Sequence, residues 1–220
     1  MHAKTRIGKK SPTDVLDGYQ VIVDGDFWDQ LQKKDVHLLC NRTLFRPHSA
    51  GQLLFEFLGQ AVMVDMGNRC LKHPDGSDWE KNDDPLLELV TVLYLNNVSD
   101  LHPMGTDIVG VKDLKEGHFF RGPHALQTDA LLKRYGHDAN AFRQAAEYLQ
   151  GQAVEMADAA YRLHPFPRVP LYYLLWEADE EFTAQITVLF DRSIEKTLAA
   201  DAIWALVNRV SAELLKKTQG

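Results

Sequence analysis

Residues 169–176 and 184–190 are two apolar runs rich in β-branched and aromatic side chains, separated by only the seven residues 177–183. Runs of this length are too short to be long helices and suit a pair of strands. In the second run Ala184, Ile186, Val188 and Phe190 share one face and Gln185 and Thr187 the other, the period of two that a strand imposes. The link places four carboxylates in five positions, Glu177, Asp179, Glu180 and Glu181, between Trp176 and Phe182. One reading is the solvated connection of a hairpin, whose charges also discourage edge-to-edge pairing. The other is a polar site. Asp179, Glu180 and Glu181, with Asp191 further on, offer oxygen ligands of the kind Ca²⁺ or Mg²⁺ takes, although the spacing is not that of an EF-hand loop.

The same period recurs in residues 52–66. Leu53, Phe55 and Phe57 alternate on one arm and Val62, Val64 and Met66 on the other. This predicts a hairpin turning at Gly59-Gln60, with glycine at the first central position of a type II′ turn. Residues 67–83, rich in Gly, Asn, Asp and Lys, read as a loop, and Ile108 to Val111 as a short strand. Asp26, Asp84 and Asp138 read as helix N-caps, with Pro85 at the first helical position. Leu86, Leu89, Val90 and Leu93 form one helical stripe, and Phe142, Ala145, Ala146 and Leu149 another. Pro123 opens a helix that Gly136 closes. Residues 201–217 form the clearest helix, with Ile203, Leu206, Val207, Val210 and Leu214 inward and Lys216 and Lys217 at its C-terminal end.

Strands thus come as hairpins, with helices grouped between and after them. The expectation is an α+β fold: antiparallel hairpins forming a mixed or antiparallel sheet, packed against three to five helices and ending in a C-terminal helix. Residues 1–18 read as a flexible basic leader and 19–217 as one α+β domain.

With 24 Lys and Arg against 31 Asp and Glu, the net charge is −7, which argues against nucleic acid as a partner. No stretch reaches the roughly 20 apolar residues of a membrane span. The leader has no apolar segment of the secretory kind, so a cytoplasmic location is expected. Cys40 and Cys70, far apart, match neither a disulfide framework nor a metal motif, and read as two buried thiols. His37 and Cys40 stand at i, i+3 if helical, an arrangement that core packing explains better than a reactive thiol.

The segments Arg168-Val169-Pro170-Leu171, Leu175-Trp176-Glu177-Ala178-Asp179-Glu180-Glu181-Phe182 and Leu189-Phe190-Asp191 resemble a known family. It is an uncharacterised domain-of-unknown-function family of about this size from anaerobic bacteria and archaea. Its signature is R-V-P-L, then L-W-x-x-D-E-E-F, then L-F-D before a terminal helix. Weaker agreement runs through Phe57-Leu58-Gly59, the Leu131-to-Gly136 helix end and the Asp138-capped helix, so the resemblance covers residues 26–215. Some relatives carry a four-cysteine iron–sulfur module or accompany corrinoid and one-carbon proteins. Two cysteines cannot supply that module, but the resemblance implies a redox or corrinoid-protein partner. It implies no activity and no cofactor.

Two further stretches hold candidate ligand-binding residues. In His164-Pro165-Phe166-Pro167-Arg168-Val169-Pro170, three prolines in six residues fix an extended path that holds Arg168 towards an anionic ligand or towards the acidic link. A pairing of Arg168 with those acids follows from their nearness in sequence. In His118-Phe119-Phe120-Arg121-Gly122-Pro123-His124, the pair His118 and His124 with Arg121 could receive an anionic or tetrapyrrole-like ligand, or be ordinary exposed loop residues. Asp100, His102 and Asp107 make a weaker cluster.

The leading reading is a non-catalytic ligand-binding or accessory protein. The resemblance links it to anaerobic redox or one-carbon metabolism. One alternative is an enzyme that uses Asp179, Glu180 or Glu181 as acid/base, with Arg168 binding an anionic substrate. Another is a protein-interaction module presenting aromatic side chains near Trp176.

Overall fold

The computed structural model describes residues 23–98 and 107–216. Among them are six α-helices and two five-stranded antiparallel sheets, an α+β architecture. The leader 1–18, Asp100, His102 and Lys217 lie outside the described residues.

The first sheet is a meander of β1 (Arg46–Pro47), β2 (Gln52–Phe57), β3 (Gln60–Asp65), β4 (Cys70–Asp75) and β5 (Asp78–Lys81). The β2–β3 hairpin turns one residue earlier than its sequence suggests. Phe57 pairs with Gln60, so Leu58 and Gly59 are the central residues, at φ 51° and 80°. Both positive angles make this a type I′-like turn. Leu58 holds this left-handed conformation with its side chain buried. The β4–β5 hairpin occupies the stretch expected to be a loop. From His73 to Asp78 its residues are exposed, so it has no apolar alternation to announce it.

The second sheet takes β6 (Ile108–Gly110), β7 (Gln152–Ala153), β8 (Ala159–Phe166), β9 (Val169–Trp176) and β10 (Gln185–Asp191) in the order β6-β10-β9-β8-β7. The proline-rich strap is the tip of the β8–β9 hairpin. Phe166 pairs with Val169, leaving Pro167 and Arg168 as the turn. Proline at the first central position presets the required φ. The register shifts between Leu163 and Phe166, and Pro165 and Pro170 lie in that break, where no ladder N–H is needed.

The helices are α1 (Gly25–Gln32), α2 (Val36–Thr43), α3 (Pro85–Asn97), α4 (Asp129–Tyr135), α5 (Ala139–Tyr148) and α6 (Ala200–Lys216). Asp84 and Asp138 cap α3 and α5 as expected, but α1 is capped by Asp24, which accepts from the Asp26 N–H at 3.0 Å. Pro123 opens only a 3₁₀ turn, Gly122–His124; α4 starts later and ends at Gly136. On α3 the buried set is Leu87, Val90, Thr91, Val92, Tyr94 and Leu95, while Leu86, Leu89 and Leu93 are half-buried. The expected single stripe fails because α3 is packed between α1 and α6. No helix is long and apolar enough to cross a membrane among the described residues.

One contiguous core joins the two sheets. In β9, Leu171, Tyr173 and Leu175 face it, and Tyr172 and Leu174 face a smaller cluster on the opposite side. Between the sheets four rings meet: Phe45 stacks on Phe55 (4.4 Å) and Tyr94 on Phe166 (4.6 Å), with Phe55 and Phe166 5.6 Å apart. Offset and tilted ring pairs of this kind add to the burial of their area. They tie α3 and β2 to the end of β8.

Candidate functional site

The acidic link begins immediately after β9 and is used by the fold itself. Asp179 accepts hydrogen bonds from the N–H groups of Glu181 (2.8 Å) and Phe182 (2.7 Å), and the Asp179 N–H donates to the Phe182 carbonyl. Those two backbone donors, Phe182 first, hold its carboxyl below the usual carboxylate range. Glu177 accepts from the Ala139 N–H at 2.9 Å in the first turn of α5, where a negative charge is favoured. Glu180, Glu181 and Phe182 are exposed. Among the described residues no group of three or more His, Cys, Asp or Glu side chains could hold a metal ion.

Arg168 and the acids are not neighbours. The eight-residue strand β9 separates them by roughly 25 Å, at about 3.3 Å per residue. Trp176, at the acidic end, is half-buried against the smaller cluster. Asp191 lies at the other end of β10 from the link, buried, and accepts from the Ser193 N–H at 2.9 Å. An acid/base from the link and Arg168 therefore cannot grip one small substrate within this chain.

His118 and Arg121 are exposed on the 3₁₀ turns before α4. His124 is half-buried, stacked on Phe119 at 4.4 Å and edge-on to Trp204 of α6. A cleft of about 360 Å³ opens beside this run, lined by Leu114, Phe120 and Ile203 with Lys115, Glu116, Glu195 and Lys196. Its charges balance, and none of His118, Arg121 and His124 lines it. Asp107 pairs with Arg192 at 2.5 Å. His37 is exposed, and burial pushes the half-buried Cys40 thiol up, away from reactivity.

What remains is Arg168 itself. At the hairpin tip it is half-buried, its Nε is sequestered, and that nitrogen has no hydrogen-bond partner. Arg168 forms no ion pair among the described residues. The Tyr94 ring stacks on Phe166, two residues before Arg168, and its hydroxyl is fully buried and also without a partner. Burial pushes the Tyr94 phenol well above its ordinary value, and the Arg168 charge pulls against that. Next to the tip, a cavity of about 200 Å³ is lined by Glu56, Leu58, Gly59, Leu149, Gln150, His164 and Pro167, and not by Arg168 itself. Burial, then the Arg162 charge, lowers the His164 pKa, so the ring is neutral at neutral pH.

A family model for a domain of unknown function (DUF3786) matches residues 35–213. The chain belongs to this family. The match takes in both sheets, Tyr94, His164 and Arg168, and the acidic link. No protein of curated function and no solved structure is detectably similar to the chain.

The proline-rich strap of the sequence marks His164 and Arg168, whereas nothing in the sequence points to Tyr94 or Gln150. Tyr94 sits in an aliphatic helix and reads as core; only the hairpin packed against it makes its hydroxyl conspicuous.

Proposed function

We propose that this member of the family is a non-catalytic ligand-binding or accessory protein, and that Arg168 anchors an anionic group of its ligand. The observation that carries this is a guanidinium with a sequestered, unpartnered Nε and no carboxylate paired with it among the described residues. Internal arginines of this kind ordinarily fork a carboxylate of their own chain. Here the turn fixes the backbone on both sides, so the charge is presented with little loss of freedom on binding. The association with anaerobic redox or one-carbon metabolism, with a redox or corrinoid protein as partner, rests on the sequence resemblance alone, as does a cytoplasmic setting on the composition.

The test is equilibrium binding and thermal shift of the full chain and of Arg168→Met, against acetate, benzoate, succinate, inorganic phosphate and sulfate. At least one anion should raise the melting temperature of the native chain and leave Arg168→Met unmoved. Equal responses of the two proteins, or none from either, would overturn the reading.

A further inference from the structure

We infer that two copies of the chain pair by setting the exposed Phe182 turn of each against the outer surface of α2 and β1 of the other. The contact does not involve Arg168.

Along residues 38–46 the side chains divide between inside and outside. Leu39, Thr43 and Phe45 are buried, whereas Leu38 and Leu44 are 46% and 52% exposed. Arg46 is exposed and Arg42 half-buried. Leu38 and Arg42 stand at i, i+4 and so share one face of α2. Leu44 ends that helix at φ 65°, its N–H donating to the Cys40 carbonyl at 2.8 Å. This left-handed position favours glycine or asparagine, and leucine is strained there. With half of the side chain in solvent, burial within the chain repays little of that strain. A left-handed backbone kept beneath an exposed apolar side chain serves contact beyond the chain. The border of this surface is basic. Asp35 is engaged by the Leu38 N–H as the cap of α2. Arg46 reaches Glu56 only at 3.9 Å, both side chains being exposed, a pair too loose to occupy the guanidinium.

The second surface has the opposite charge. Phe182 is the most exposed large apolar side chain among the described residues, and Glu180 and Glu181 beside it are exposed. The carboxylate of Asp179 holds the turn through the N–H groups of Glu181 and Phe182. The ring is therefore presented on a fixed backbone, and contact orders little that is not already ordered. An aromatic plug flanked by carboxylates complements an apolar surface bordered by arginines in both shape and charge.

Within one chain these surfaces cannot meet. Phe45, between Leu44 and Arg46, lies 6.3 Å from Phe166 at the turn into β9. The acidic link leaves the opposite end of β9, roughly 25 Å away at about 3.3 Å per residue. Each copy thus carries both halves of a contact that it cannot make with itself. Two copies lying side by side in opposite directions make it twice, which closes a two-fold pair and leaves no open end.

Sedimentation equilibrium of the full chain, up to about 1 mM, should show monomers and dimers. Phe182→Ser should raise the dissociation constant at least about tenfold, as loss of a central aromatic anchor does. Leu44→Gly should weaken the pair too, yet melt no lower than the native chain at dilutions where both are monomeric, because it relieves the backbone and gives up little burial. Arg42→Glu with Arg46→Glu should be monomeric, as should Glu180→Lys with Glu181→Lys. An equimolar mixture of these two double variants should dimerise again, since both contacts then join opposite charges. A native chain that stays monomeric throughout would overturn the pairing, and assemblies that lengthen with concentration would overturn its closure. Dimers that survive both charge reversals, or a mixture of the reversed chains that stays monomeric, would overturn the assignment of the two surfaces.

Discussion

Arg209 of α6 is ion-paired to Asp84, the residue whose side chain caps the N-terminus of α3. The same guanidinium pairs with Glu213 at 2.5 Å and lies over the Phe57 ring at 5.4 Å. One side chain therefore ties the long C-terminal helix to α3 and to the first sheet. Burial of Glu213 would raise its pKa, but Arg209 and then Lys216 outweigh that and hold it below its ordinary value.

Arg209→Met should therefore be among the most destabilising single changes. The Arg209 and Glu213 side chains are only 12% and 6% exposed, so removing the cation strands charge in a poorly solvated place. Breaking a buried pair this way costs about 3–5 kcal/mol, measurable as a lowered urea midpoint with an unchanged slope. Arg209→Lys should recover only part, since a point charge cannot serve two carboxylates in fork geometry. A loss below about 1 kcal/mol would place the pair with weak surface bridges.

Acid should unfold the protein partly through Asp65. Its carboxylate, 2% exposed, accepts from Lys72 (2.8 Å), from the backbone and side chain of Asn68 (2.9 Å each) and from Gln52 (3.0 Å). Burial alone would raise its pKa; these bonds, Lys72 foremost, win and hold it well below the usual range. The folded value lies below the unfolded one, so the unfolded chain binds the extra proton. The stabilisation is complete above the ordinary value of 3.8 and is lost progressively as pH falls below it. Urea midpoints from about pH 6 to pH 2 should show this loss, and Asp65→Asn, less stable at neutral pH, should show a flatter decline over the lower part.

The elements that the sequence announced are those with one strong period. β9 and β10 alternate or run apolar without interruption, and α6 repeats its apolar face over four turns. The β4–β5 hairpin has no buried face beyond Cys70 and Leu71, so its alternation is absent. β8 was obscured by Pro165, which argues against a strand until the register break at that point is known. The site was legible only in part for the same kind of reason. Nearness in sequence suggested that Arg168 pairs with the acids after Trp176, yet a fully extended strand carries sequence neighbours apart. Tyr94, distant in sequence, arrives at the end of β8 by stacking on Phe166, two residues before Arg168.

The cavity wall at Gly59 makes a prediction about strain. Gly59 has φ +80°, and a Cβ there would lie 2.7 Å from the Gln150 Cγ. Gly59→Ala thus adds a left-handed alanine, costing about 1–2 kcal/mol, and a steric clash on top of it. Gln150→Ala removes the atom struck, so the double variant should recover the clash and keep the backbone cost. Chemical denaturation of the four proteins should show the double variant less destabilised than the sum of the two single losses, by the size of the clash. Strict additivity would show that Gln150 moves aside freely.

Asp179, the most ligand-like of the link's acids in sequence, should behave as a loop-closing residue. Its two accepted N–H bonds hold the turn that carries Glu181 and Phe182, and Phe182 is 68% exposed, so little burial assists them. In Asp179→Ala the amides of Glu181 and Phe182 should exchange hydrogen faster, while amides in the middle of β9 keep their protection. Global stability should change by no more than about 0.5–1 kcal/mol. Calcium or magnesium at millimolar concentration should give no binding heat with either protein and leave those exchange rates unaltered. Slowed exchange on adding a divalent ion, abolished in Asp179→Ala, would instead make the link a cation site.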